Sequence, residues 1–224
     1  MSTRDRTEPT LMESAAAGTP DEYTIGREIT DVGTDVVAAG GPVVPALTGR
    51  FRLRAVDPTG DDPAMLVSWF ARPHLVETWE QEWSESKWRA DSSHRLAGDY
   101  SRPLIVSLDG TEIGYVELYR PARDEIARLY PVDPYDMGIH IATADPSLTG
   151  RGVMSGWLAE LAQAIFDADT RCRRVVLEPD ARNSRIRRAL TGRGWTDVGE
   201  FDVRPDRRIA LHILGRTPAD VPQL

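Results

Sequence analysis

The 224-residue chain carries 27 Lys and Arg against 35 Asp and Glu, a formal net charge of -8, so it offers no broad attraction to nucleic acid or to an anionic membrane surface. Its single cysteine, Cys172, excludes an intramolecular disulfide and an all-cysteine zinc site and fits a reducing, cytoplasmic setting. No run approaches the roughly 18 consecutive apolar residues of a membrane span, the amino terminus lacks the order of a secretion signal, and the length suits one enzyme-sized domain plus a tail.

Residues 1–48 mix Thr, Gly, Pro, Ala, Asp and Glu without a sustained period and contain no Phe or Trp, which predicts a flexible tail. Within it "DVVAAGGPVVPAL" is mildly apolar and could dock on the domain. From Phe51 the texture changes. "FRLRAV" alternates like a strand, and "DDPAMLVSWFARPHLVETWEQEW" starts like a helix and continues with apolar and aromatic residues at helical spacing. "RPLIVSLDGTEIGYVELYR" reads as two strands joined at Asp109-Gly110, a dipeptide suited to the positive φ angles of a tight hairpin. Tyr115, Glu117 and Tyr119 fall on one face of the second strand, opposite Val116 and Leu118.

The next strand, "DMGIHIA", places Met137, Ile139 and Ile141 on an apolar face and Asp136, Gly138 and His140 on the other. A helix from about Gly152 to Phe166 follows, then the apolar run "RRVVLEP". This order predicts a βαβ crossover with parallel strands. "ARNSRIRRALTGRGW" is a further helix, stopped by Gly192 or Gly194, and "RIALHILG" is the last strand.

Two features of this half carry chemistry. In "SLTGRGVMSG", Gly150, Gly152 and Gly156 surround a helix start, where backbone N–H groups and the helix dipole can hold phosphate oxygens; a plain connection is the alternative. His140 sits just upstream, either as a buried histidine bonded to the main chain or as a proton acceptor facing a cleft. His74, His94 and His212 are scattered, and neither HExxH nor CxxC spacing occurs, so no metal site is expected. The chain also lacks a Gly-x-Ser-x-Gly elbow, which favours direct transfer over a covalent serine intermediate.

The turn resembles the acyl-CoA pyrophosphate loop of the GCN5-related N-acetyltransferase (GNAT) superfamily, with Thr149 and Met154 at the first and last positions of that signature. "SWFARPHLVETW", "GYVELYR", "DMGIH" and "LEPDARN" occur in the order and spacing of the siderophore-biosynthesis acyltransferases. The resemblance covers roughly residues 50–215. It implies a single GNAT-like α/β (α+β) domain over residues 49–218, with a central mixed twisted sheet flanked by helices, a βαβ acyl-CoA-binding unit, and a C-terminal tail at 219–224. It also implies an acyl-CoA-dependent N-acyltransferase acting on an N-hydroxylated basic amino acid or diamine. An unhydroxylated amine acceptor, or a non-catalytic acyl-CoA-binding module, are the alternatives.

The family's catalytic histidine falls on His140 and its partner acid on Asp180, for which a helix N-cap is the competing role. Acyl-CoA, with an acetyl or short dicarboxylic acyl group, is the implied co-substrate. Its contacts are implied at Ile141, Ala142, Thr143, Thr149, Gly150, Arg151, Gly152, Val153, Met154, Ser155, Gly156, Asn183 and Arg188. Trp69, Trp79, Tyr115, Glu117, Tyr119 and Asp136 are acceptor-side candidates; a tryptophan at helical spacing is more often core, and loop capping is the competing role for Asp136. The arginines around 182–193 could dock an acyl carrier protein as alternative donor. A monomer is the default expectation.

Overall fold

A computed structural model describes residues 23–148 and 152–224, and the side chains of Met154 and Ser155 also lie outside the description. The alternating segments form strands: β1 (Phe51–Ala55), β2 (Ser101–Leu108), β3 (Thr111–Tyr119), β4 (Met137–Thr143), β5 (Arg174–Leu177), β6 (Thr196–Arg204) and β7 (Arg207–Gly215). They make one sheet in the order β1-β2-β3-β4-β5-β7-β6. All neighbours run antiparallel except β4 and β5, which are parallel. Asp109 and Gly110 close the β2–β3 hairpin at φ 49° and 82°, the left-handed conformations that such a turn requires.

The helical part divides into α2 (Asp62–Phe70), α3 (Pro73–Val76) and α4 (Glu85–Ala97). The break between α2 and α3 falls at Arg72-Pro73, where the proline ring disfavours helical geometry in the residue before it. Ser84 caps α4, its hydroxyl accepting from the Lys87 N–H at 3.3 Å. Leu66, Phe70 and Trp88 of these helices pack with Ile105, Tyr115 and Ala142 of the sheet. On the opposite face Trp157, Leu161 and Ile165 of α5 (Val153–Ala168) cover Val116, Leu118, Met137 and Ile139. The short α6 (Ser184–Thr191) follows β5.

Residues 23–48, assigned to the tail from their composition, differ from that expectation. They contain α1 (Thr34–Ala39) and are tied to the domain by side chains that composition does not reveal. Tyr23 stacks on His94 with ring centroids 4.3 Å apart. Arg120 donates to the carbonyls of Gly40 and Gly41 at 3.1 and 3.0 Å, and Leu47 packs on the main core. At the other end Asp220 is buried and accepts from Thr217 and Arg173. No helix among the described residues is long and apolar enough to cross a membrane.

Candidate active site

Strands β4 and β5 pair only at Met137↔Val175 and Gly138↔Val176. Pro179 follows two residues after β5 and has no N–H with which to extend a ladder. Beyond Gly138 the two strands part, and His140 lies two residues into that divergence on the same face as Gly138. Glu178 lies two residues beyond Val176, so the parallel register brings it opposite His140. Its Oε1 is 2.5 Å from the histidine Nε2.

Around this pair the sheet assembles a dense set of buried charges. Glu117 of β3 is opposite His140 in the β3–β4 register and its Oε2 lies 3.7 Å from Nδ1. Arg95 of α4 binds Glu117 and, at 2.5 Å, Asp91. Tyr119 stacks on the imidazole with centroids 4.3 Å apart and donates to Glu178 Oε2 at 2.7 Å. Arg27, from the N-terminal segment, reaches Glu178 at 2.5 Å, Asp124 at 3.1 Å and His140 Nε2 at 2.9 Å. Arg207 of β7 approaches Glu178 at 3.3 Å.

These neighbours set the protonation states. Burial works against ionised Glu117, yet Arg95 and His140 outweigh it and its carboxyl sits at about 2. Burial likewise opposes ionised Glu178, but His140 and Arg27 hold it well below the usual carboxylate range. For His140, burial disfavours the cation, Glu178 favours it, Arg27 opposes it and Glu117 favours it; the balance lies above the ordinary histidine value. The Tyr119 phenol, pushed far up by burial and Glu178, stays neutral. The imidazole keeps 13% of its side-chain surface exposed, so it is reachable rather than sealed in the core.

Asp180 is not the partner of His140. It binds Arg182 at the surface, at 2.8 and 3.0 Å, because it lies two residues beyond Glu178, on the far side of Pro179 from the cleft. Glu178, which sequence reasoning missed, takes that place. The second omission is Arg27, whose segment gave no periodic signal at all.

The acceptor-side candidates also sort out differently from expectation. Tyr115, Glu117 and Tyr119 are buried beneath the site, at 1%, 2% and 0% exposure; Glu117 and Tyr119 contact His140, while Tyr115 packs against Phe70, Trp79 and Trp88. Asp136 is buried and accepts from Tyr130, the Asp133 N–H and Arg174, which is the loop-capping role. Trp69 belongs to the α2–α4 core. Trp79 alone among these is half-buried beside the opening, edge-on to His140 at 6.2 Å.

On the donor side, Thr149, Gly150 and Arg151 and the side chains of Met154 and Ser155 lie outside the described residues. Gly152 adopts φ 78° at the head of α5, with no side chain capping the helix, and Val153 opens its first turn. Among the described residues, positions where a Cβ would stand on Gly152 and Gly156 meet the Arg193 guanidinium, at 3.8 and 4.0 Å. A helix N-terminus headed by glycine beside an arginine fits a pyrophosphate. Ile141 and Ala142 pack into the core on either face of β4, and the Thr143 carbonyl is bonded to His74 Nε2 at 2.9 Å. Asn183 caps α6, accepting from the Ile186 N–H at 3.3 Å, and Arg188 is exposed on that helix.

A sheet split at two parallel strands, a glycine at the head of the crossover helix and a histidine held between two carboxylates at the fork define an acyltransferase of the GNAT class. Residues 59–203 match the family model described as Acetyltransferase (GNAT) domain. The chain belongs to that family, and it groups there with the siderophore-biosynthesis N-acyltransferases that use acyl-CoA. It is 45% identical to lysine N-acyltransferase MbtK of Mycobacterium sp. (strain MCS), over 88% of this chain and 80% of that one. Identity to the Mycobacterium tuberculosis protein of that name is 40%, over 91% and 97%. An Escherichia coli N(6)-hydroxylysine O-acetyltransferase is 28% identical over 77% and 54%. Among solved structures, aminoglycoside acetyltransferase AAC(6')-Ib with coenzyme A and kanamycin superposes with a TM-score of 0.65 at 25% identity, covering 74% of this chain and 95% of that one. An uncharacterized Bacillus halodurans protein does so at 0.71 and 24%, over 78% and 92%, which shows the shared fold.

Proposed function

We propose that this protein transfers an acyl group from acyl-CoA to the side-chain nitrogen of an N-hydroxylated lysine-type acceptor in siderophore assembly, with His140 receiving the proton. The observation that carries this reading is the imidazole at the β4–β5 fork, held between ionised Glu178 and Glu117. The identity to lysine N-acyltransferases supports a lysine skeleton. Relatives named N(6)-hydroxylysine O-acetyltransferase and, at 29% identity, N-hydroxyputrescine acetyltransferase support the hydroxylated nitrogen.

Chemistry points the same way. An alkylammonium has a pKa of about 10.4 and must shed its proton before it can attack, and an ordinary imidazole is a much weaker base than the amine. A hydroxylamine nitrogen is already neutral. It attacks the thioester carbonyl, the nitrogen proton passes to the imidazole, the C–S bond breaks, and the CoA sulfur leaves as thiolate and takes that proton from the imidazolium to become the thiol. Glu178 and Glu117 stabilise the imidazolium so formed. Asn183, Arg188, Arg193 and the head of α5 hold the CoA phosphates, and the β4 main chain at residues 141–143 lies along the thioester arm.

Thiol release tests this directly. Acetyl-, succinyl-, malonyl- and longer acyl-CoA donors, and a carrier-bound acyl group, are paired with N6-hydroxylysine, N5-hydroxyornithine, N-hydroxycadaverine and their parent amines. The expected pattern is turnover with acyl-CoA and N6-hydroxylysine well above that with lysine. CoA binding without release for any acceptor would overturn the reading. In the same assay His140→Ala is expected to lower kcat about 10²- to 10⁴-fold with the KM for acyl-CoA little changed.

A further inference from the structure

Arg27 is an unusual residue at the backbone level. It holds φ at 72°, a left-handed conformation that is strained for a non-glycine residue and persists only where surroundings enforce it. Here they do. Ile25 is buried, the Glu28 N–H bonds to the Ile25 carbonyl at 3.3 Å, the Ile29 N–H to Arg123 at 2.8 Å, and the Glu125 N–H to the Arg27 carbonyl at 3.1 Å. The segment is clamped so that the guanidinium points at the fork.

What it meets there is a conflict. His140 Nε2 has one in-plane position, which carries either a proton or a lone pair. Glu178 Oε1, at 2.5 Å, can only accept from it. Arg27 Nη1, at 2.9 Å, can only donate to it. Both contacts cannot be hydrogen bonds at once. Arg27 Nη2 meanwhile bonds both Glu178 Oε1 and Asp124 Oδ1, so Glu178 keeps a partner whichever state the imidazole adopts.

We propose that Arg27 is a positioning residue for acyl transfer, giving the neutral His140 imidazole a donor for its Nε2 lone pair as the alternative to the salt bridge with Glu178. This rests on the acyl-transfer reading above and adds a role for a residue outside the family's matched segment, 59–203. The charged groups facing His140 are Glu117 from β3, Glu178 from the end of β5 and Arg27 from the N-terminal segment, with neutral Tyr119 stacked on the ring. Behind them Arg95 pairs with Glu117, and Asp124 and Arg207 flank the Arg27–Glu178 pair. Without the guanidinium the ring faces two carboxylates and stays protonated to higher pH, where it can accept nothing.

The test uses the full-length chain as wild type, Arg27→Gln and Arg27→Lys. The imidazole of His140 is titrated by NMR without acyl donor, with His140→Ala assigning the signal, and kcat/KM is followed against pH. Removing the guanidinium is expected to move the His140 midpoint and the acid limb of the rate profile upward together by about one pH unit, a roughly tenfold loss on that limb, with the KM for acyl-CoA unchanged. Arg27→Lys keeps the charge but cannot bridge Nε2 and both carboxylates, so a smaller shift in the same direction is expected. If Arg27→Gln fails to fold, the lysine variant decides. A folded variant whose midpoint stays at the wild-type value, or moves down, overturns the proposal. A shifted midpoint in a protein that transfers no acyl group supports the positioning role and counts only against the acyl-transfer reading.

Discussion

At the residue scale, the Asp-x-Gly-x-His stretch has a steric explanation. A Cβ on Gly138 would lie 2.0 Å from Cζ of Tyr119, the ring that stacks on His140 and donates to Glu178. Only glycine leaves room for that ring. Gly138→Ala is expected to destabilise the fold by about 1–3 kcal/mol, as overpacking does, read as a lowered urea midpoint, and to reduce kcat by displacing Tyr119. The two acids of "LEPDARN" separate in the same way. Glu178→Gln removes the carboxylate that stabilises the imidazolium, so kcat is expected to fall about 10²-fold or more and the acid limb of kcat/KM to move to lower pH. Asp180→Asn touches only a surface pair with Arg182, so stability is expected to change by no more than about 0.5 kcal/mol and turnover little. Equal losses in both variants would contradict the assignment of Glu178.

At the scale of elements, the decisive feature is the register of a short parallel pair. Hydrophobic alternation made β4, β5 and the crossover helix legible, because each is specified by neighbours a few residues away. The side-chain period of 2 also put Asp136, Gly138 and His140 on one face. It could not say which residue of "LEPD" stands opposite His140, since that depends on Gly138 meeting Val176, a pairing across the whole of α5. The irregular β6, with register shifts at Asp197/Gly199 and Asp202/Arg204, left no clean alternation to find. The connection between α3 and α4 carries the remaining acceptor-side candidate. Trp79 leans on Phe70 and Tyr115 with centroids 5.2 and 6.1 Å away and lies perpendicular to the His140 ring. Trp79→Ala is expected to raise the acceptor KM about tenfold while the acyl-CoA KM holds, in steady-state assays varying each substrate in turn. Equal effects on both would return Trp79 to the core.

For the whole molecule, the buried charges tie stability to pH in two opposite directions. Glu117 is held at about 2 against an ordinary 4.5. Its contribution, on the order of 3 kcal/mol, is fully present above about pH 4.5 and is lost as pH falls toward 2. Asp136 is the reverse: burial outweighs its hydrogen bonds and Arg174, raising it from 3.8 to about 6. The folded state therefore binds its proton more tightly, and stability falls as pH rises from about 4 through 6. Urea unfolding of Asp136→Asn across pH 4 to 7 is expected to show a flatter decline than wild type; an unchanged slope would remove Asp136 from this balance.

The sequence by itself determined β1 to β5, β7, the crossover helix and the placing of the histidine beside a glycine-bearing helix start, because each is written in spacings of two to four residues and in the local demands of proline and glycine. Four short motifs also carried the family. Only the tertiary structure decided which charges surround that histidine, since Arg27 lies 113 residues and Glu178 38 residues away along the chain. Chain folding brings those groups together at no sequence period, and the energy that holds them there comes from burial and from one another.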